Sequence, residues 1–208
     1  MLFKKSNNDI YPKLKVATEL LKKMSNYLAE ALNTHLEKER EELAKVIGVN
    51  HKILQNNLNE IIQLTSKKFI LPIDREDIHA LVSSLIYLNG YISNCANKMT
   101  AYKIEEYRLE EKELAKTVEK IIIPISKAIL STENFDKKAS IVDYCQQIKT
   151  LTAQSLKTID EITIELFEIK TNSLEVIKHL ELLRAFTMLI KQTEATRRIL
   201  LNTIIKFS

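Results

Sequence analysis

The groups in this chain that could do chemistry are four histidines, two cysteines and 27 carboxylates spread over 208 residues. His35, His51, His79 and His179 are scattered, and no spacing of Ser, His and Asp or of Cys and His brings a nucleophile to a base. Helical bundles can hold di-iron sites with Glu-x-x-His pairs aimed inward from facing helices, and Glu76 to His79 is one such pair. A second is missing, because Glu175 and His179 are four apart. Glu76 and His79 also point away from the Leu81, Leu85, Leu88, Ile92 stripe, so a solvated or helix-capping role is expected of them. Carboxylates four apart, which share a helix face and can chelate, occur at Glu37 and Glu41, Glu106 and Glu110, and Glu161 and Glu165. The first two pairs are interleaved with Lys38, Arg40, Arg108 and Lys112, and the third lies opposite the Ile159, Ile162, Leu166, Ile169 stripe, as an ordinary solvated face does. Two glycines in the whole chain cannot build a G-x-G-x-x-G turn or a Walker loop. No catalytic residue, cofactor site or metal site is expected, and an enzyme reading has no support.

Composition sets the elements that must carry these groups. With 45% apolar residues, two glycines and three prolines, and Leu, Ile, Lys and Glu dominant, the chain favours long helices around a sizeable core. The formal charge is +4; residues 1 to 104 hold 15 basic and 11 acidic side chains, and residues 105 to 208 hold 16 of each. That surplus would help docking on an anionic membrane surface or an acidic partner, but it is far from a nucleic-acid-binding stripe. Cys95 and Cys145 sit in apolar helical contexts, as buried thiols of a reducing compartment do. The basic start MLFKK is followed by no apolar h-region, and no run of about 18 apolar residues occurs, so a soluble, cytosolic chain is expected.

Apolar positions recurring at three and four predict six helices. The first covers residues 10 to 32, and the second about 35 to 67, where Gly48 weakens the period without breaking it. Pro72 pushes Leu71 out of helical geometry and Asp74 is the expected N-cap of the third, with Glu76 and Asp77 in its first turn, where the helix dipole favours acids. That helix should reach about Tyr102. The fourth is expected over about 105 to 130 with a kink at Pro124, the fifth from Asn134 or Asp136 to about 170, and the sixth from a capping Ser173 to about 206. DREDIHAL and SLEVIKHL, about 99 residues apart, make the two halves alike. The expected architecture is all-α: two three-helix bundles, residues 1–104 and 105–208, joined end to end.

The stretch F-I-x-P-x-D-R-E-D-I-H-A-L, Phe69 to Leu81, resembles the signature of the PhoU-like accessory proteins of phosphate transporters, in the branch that accompanies Pit-type transporters. Ser173 to Lys178 resembles the start of that family's last helix, and the six-helix layout covers nearly the full chain. The resemblance implies a non-enzymatic cytoplasmic protein, placed at the inner face of the membrane beside a phosphate transporter, that restrains uptake or reports phosphate status.

Many members of the family hold metal clusters on the bundle surface through acidic pairs, and this chain departs there. In the family's register the helix-two pair falls at His51 and Gln55, and the helix-three cluster at Ile86, Tyr87 and Gly90. The second-half equivalents lie near Thr152 and Leu156, and Met188 and Lys191. Hard cations need oxygen ligands, preferably charged, so no bound cluster is expected. The substitutions turn a carboxylate face into an apolar, aromatic one, making His79, Ile86, Tyr87 and Gly90 the candidate partner-binding set. The alternative is that a neighbouring helix covers Ile86 and leaves Tyr87 a half-exposed aromatic. The expected partner is a membrane phosphate transporter, with a homo-oligomer allowed; a helical scaffold that has lost the phosphate link is the competing function.

Overall fold

A computed structural model describes residues 10–67, 74–133, 138–168 and 172–206. Six helices and no strand occur among them: α1 (Ile10–Asn33), α2 (Glu37–Lys67), α3 (Arg75–Tyr102), α4 (Leu109–Ser131), α5 (Lys138–Glu168) and α6 (Ser173–Lys206). The expected Pro72 break, Phe69 and the Asn134 or Asp136 start of α5 lie outside the described residues.

Consecutive helices run antiparallel, α2 on α1 and α3, and α5 on α4 and α6, giving the two three-helix units. The units meet along their sides, whereas an end-to-end junction is expected from sequence. α1 lies antiparallel on α4, with the Tyr11 hydroxyl at the start of α1 donating to the Thr132 carbonyl past the end of α4 at 2.7 Å. α3 lies antiparallel on α6, tied near one end by Lys206 to Asp77 at 2.7 Å and near the other by Lys98 to Glu181 at 2.8 Å. The reason is the width of the apolar surface. α1 buries Leu14, Leu21 and Leu28 and, flanking that row, Tyr11, Thr18, Ser25 and Ala29 on one side and Ala17, Met24 and Ala31 on the other, an arc of about 160° at 100° per residue and wider than one stripe needs. Small residues along the edges of this arc let helix axes approach, and their hydroxyls bond back to their own helix, as Ser25 Oγ does to the Lys22 carbonyl at 2.9 Å. The core is therefore a four-helix arrangement of α1, α3, α4 and α6, flanked on one side by α2 and on the other by α5.

Local starts and stops differ from expectation in three places. Asp74 occupies the N-cap of α3, but no side-chain bond from it closes the first turn; its carbonyl takes the Ile78 N–H at 3.1 Å. Asn172, rather than Ser173, caps α6: its Oδ1 accepts the Leu174 N–H at 3.0 Å and its carbonyl the Glu175 N–H at 3.0 Å. α4 begins at Leu109 instead of about Glu105, because Lys103 turns the chain at φ 46° and Ile104 and Tyr107 bury their side chains in the connector. The Arg108 N–H then donates to Glu111 Oε2 at 3.0 Å, closing the first turn of α4. α4 continues as helix through Pro124.

The lateral junction makes the two units one cooperative body. Tyr11→Phe, which strips the buried Thr132 carbonyl of its donor, is expected to lower unfolding stability by about 1–3 kcal/mol. Urea denaturation should show a single transition for both proteins; two separated transitions would mean that the units fold independently.

Candidate functional site

Three of the four residues expected to bind a partner come together. α2 supplies His51 and Gln55, and α3 supplies Ile86, Tyr87, Gly90, Tyr91 and Asn94, around a shallow surface groove. Helical geometry explains the set: Gly90 and Tyr91 lie one turn beyond Ile86 and Tyr87, and Asn94 one turn further. Tyr91 and Asn94 were not singled out in the sequence, although their spacing of four from Tyr87 and Gly90 continues the same face. Ile86 rests partly buried on the core, so a neighbour does cover much of it, while Tyr87 keeps 59% of its surface exposed. Beyond Gly90 a Cβ would meet nothing within 4 Å, leaving an open floor between the two tyrosines.

His79 is not part of this groove. It sits two turns before Ile86, half-buried, with Nε2 3.0 Å from the Thr65 hydroxyl of α2. The bond clamps α2 to α3 and engages one of the two imidazole nitrogens. Of the acidic opening of α3, Asp74 and Glu76 are exposed, whereas Asp77 is buried and paired with Lys206. That pair holds the Lys206 ammonium above its ordinary range, first through the hydrogen bond to Asp77. The charge at this helix start thus does structural work, joining the last turn of α6 to the first of α3.

The groove does not fit the metal cluster that the family resemblance implies. Its wall offers one imidazole, two amides and two phenols where acidic pairs would be required, and none of its residues contributes a carboxylate. His51 Nδ1 is buried without a hydrogen-bond partner, one soft donor facing none of the charged oxygens that a hard cation demands. In the second unit Thr152 is buried against Thr193 at 3.2 Å, Leu156 packs on the core, and Met188 and Lys191 are exposed. Among the described residues no three His, Cys, Asp or Glu side chains converge as a metal site would need.

One buried charged cluster escapes a sequence reading. At the connector, Glu111 is fully buried and its Oε1 lies 2.8 Å from His179 Nδ1, itself 8% exposed. Nearby, Arg40 of α2 donates to the Ile104 carbonyl at 3.0 Å and stacks 4.9 Å from the Tyr107 ring centroid. Burial pushes the Tyr107 phenol up to about 12. These residues are far apart in sequence and join helices α2, α4 and α6 to the connector, so no local spacing announces them. The cluster is largely buried, with Arg40 also lining a surface pocket beside His35, Glu37 and Glu41, and it ties down the connector between the units.

Both cysteines are reduced and buried. Desolvation drives the Cys95 thiol far up, and Cys145 is raised to about 11 by burial, with Arg197 opposing in part. Neither is a nucleophile at neutral pH.

Comparison by sequence finds no matching family model and no matching curated protein. Comparison by structure finds PhoU-like proteins. A PhoU-like protein from Shewanella oneidensis MR-1 superposes with a TM-score of 0.81 at 10% identity, covering 94% of this chain and 99% of that one. A second Shewanella structure, described as a PhoU-like phosphate regulatory protein, gives 0.81 at 10% identity over 95% and 100%. PhoU from Pseudomonas aeruginosa gives 0.59 at 13% identity over 99% and 100%. The chain therefore has the PhoU-like fold, as an all-α six-helix protein.

Two measurements follow from the site. Native protein at about pH 8 is expected to leave both thiols unreacted toward a thiol reagent, with both reacting once it is unfolded; rapid native labelling would contradict their burial. Elemental analysis of protein purified without chelator should find no stoichiometric iron, zinc or manganese, and a full equivalent of any of them would refute the ligand argument.

Proposed function

We propose that this protein is a non-enzymatic regulator of inorganic phosphate transport, of the PhoU-like accessory kind, that docks through a helix face on the cytoplasmic side of a membrane phosphate transporter. The observation that carries the reading is the PhoU-like fold over nearly the whole chain, shared with a protein described as a phosphate regulatory protein. The resemblance of Phe69 to Leu81 to the family signature supports it, with Asp77 of that stretch built into the fold through Lys206. Among the described residues no helix is long and apolar enough to cross a membrane, so contact with a transporter would be peripheral.

The groove between α2 and α3 is the docking face in this reading. Ile86 gives an apolar floor, Tyr87 and Tyr91 give aromatic surfaces with polar tips, and His51, Gln55 and Asn94 give a polar rim. Such a mixture of aromatic anchors and neutral polar groups suits a protein surface better than an ion. His79 serves from behind, holding α2 at a fixed spacing from α3.

A scaffold without a phosphate role is the second reading, favoured by the missing carboxylates. Phosphate uptake by cells with and without the gene separates the two. Uptake is expected to change on deletion, and the paired variant Ile86→Asp with Tyr87→Asp should reproduce the deletion while remaining folded and helical. Unaltered uptake in the deletion strain would move the assignment to the scaffold.

A further inference from the structure

Helices α2 and α5 each bury one stripe, and what each presents on its opposite side differs in charge. On α2, Val49 lies diametrically opposite the stripe of Ile47, Leu54, Leu58 and Ile61 and is 59% exposed. Its four neighbours on the helix surface, three and four residues away, are Lys45, Val46, Lys52 and Ile53, all exposed. On α5, Ile164 lies opposite the stripe of Ile148, Ile159, Ile162 and Leu166 and is 60% exposed. Its four neighbours are Asp160, Glu161, Phe167 and Glu168, all exposed, Phe167 at 71%.

The two faces are thus built alike, with apolar residues between charges, and are opposite in sign. Lys45 and Lys52 have no carboxylate partner among the described residues, and neither Asp160 nor Glu168 has a basic one; Glu161 is met only by the exposed Lys157 at 3.5 Å. Glu42 borders the α2 face at its N-terminal edge, beyond the Lys45 to Ile53 strip. Because α2 and α5 flank opposite sides of the four-helix core, the faces cannot meet within one molecule.

We propose that the occupant of each face is a second copy of this chain: the basic α2 face of one molecule seats on the acidic α5 face of the next. The apolar residues, Val46, Val49 and Ile53 against Ile164 and Phe167, supply buried area, and the lysines opposite Asp160, Glu161 and Glu168 fix partner and orientation. The contact is heterologous, so it propagates into a ring or a row of molecules rather than closing as a two-fold dimer. Each strip is short, about two and a half turns for Lys45 to Ile53, which places the association in the weak, salt-sensitive class. The proposal is independent of the phosphate reading, since neither face includes the α2–α3 groove.

Sedimentation equilibrium of the full chain tests it. The wild-type average mass is expected to rise with protein concentration and to fall on adding salt. K45E with K52E in one protein, and D160K with E168K in another, should each stay monomeric, weakening association about tenfold or more, with helical circular dichroism unchanged since all four positions are exposed. Mixed in equal amounts, the two variants should associate again: each retains one native face for the other's, and the reversed faces also match. A monomeric wild type at every concentration, association surviving in either variant alone, or a mixture that stays monomeric would each overturn the proposal.

Discussion

Everything in this molecule depends on the two antiparallel seams along which the three-helix units press together, α1 on α4 and α3 on α6. A helix that serves two neighbours on different sides must be apolar over more than one stripe, and it can approach them only if some of those residues are small. α3 shows how this is met: Leu81, Leu85, Leu88 and Ile92 fill the core, while buried Ser84 lies 2.6 Å from the Thr196 hydroxyl across the seam and takes a further bond from Gln192 at 2.9 Å. The polar pairs are satisfied, so the seam carries hydroxyls without leaving them stranded. α2 and α5 stand outside this arrangement and pack on one stripe each, which frees their other sides.

The ends of the seams are closed by charge. At one end Asp77 and Lys206 join the first turn of α3 to the last turn of α6; at the other, Glu111, His179 and Arg40 gather under the connector. Burying ionic groups is costly unless their hydrogen bonds are met inside. Arg40 meets that condition with backbone carbonyls, and Glu111 with an imidazole and a backbone N–H. Their contribution is to set the angle at which the chain leaves one unit and enters the next.

Much of this was legible from residue spacing. Periods of three and four located all six helices, because each has a buried stripe of Leu, Ile or Val regular enough to outweigh Gly48 and Pro124. What spacing could not convey was the width of the buried arc of α1, since Thr18 and Ser25 on its flank are polar by type and look solvent-facing until a neighbour lies over them. The start of α4 was misplaced because Ile104 to Arg108 is compatible with a helix in composition, whereas the turn at Lys103 and the bonds from Arg40 to two connector carbonyls hold it in an irregular, non-helical path. Ser173 was a reasonable cap by type; Asn172, one residue earlier, already supplied the acceptor. The groove was legible through register alone, which brought His51, Gln55, Ile86, Tyr87 and Gly90 to one place, but register could not reveal that His79 is committed to Thr65.

The superpositions at 10% identity show how little of the amino-acid text such a bundle requires. A core specified by pattern and volume tolerates wholesale replacement as long as both are kept. The flanking rods, each anchored by a single row of side chains, therefore act as interchangeable cladding: their outward positions can drift, acquire charge or lose it without disturbing the frame beneath. The same frame can in this way be turned toward different surroundings by rewriting a few surface residues while its architecture stays unchanged.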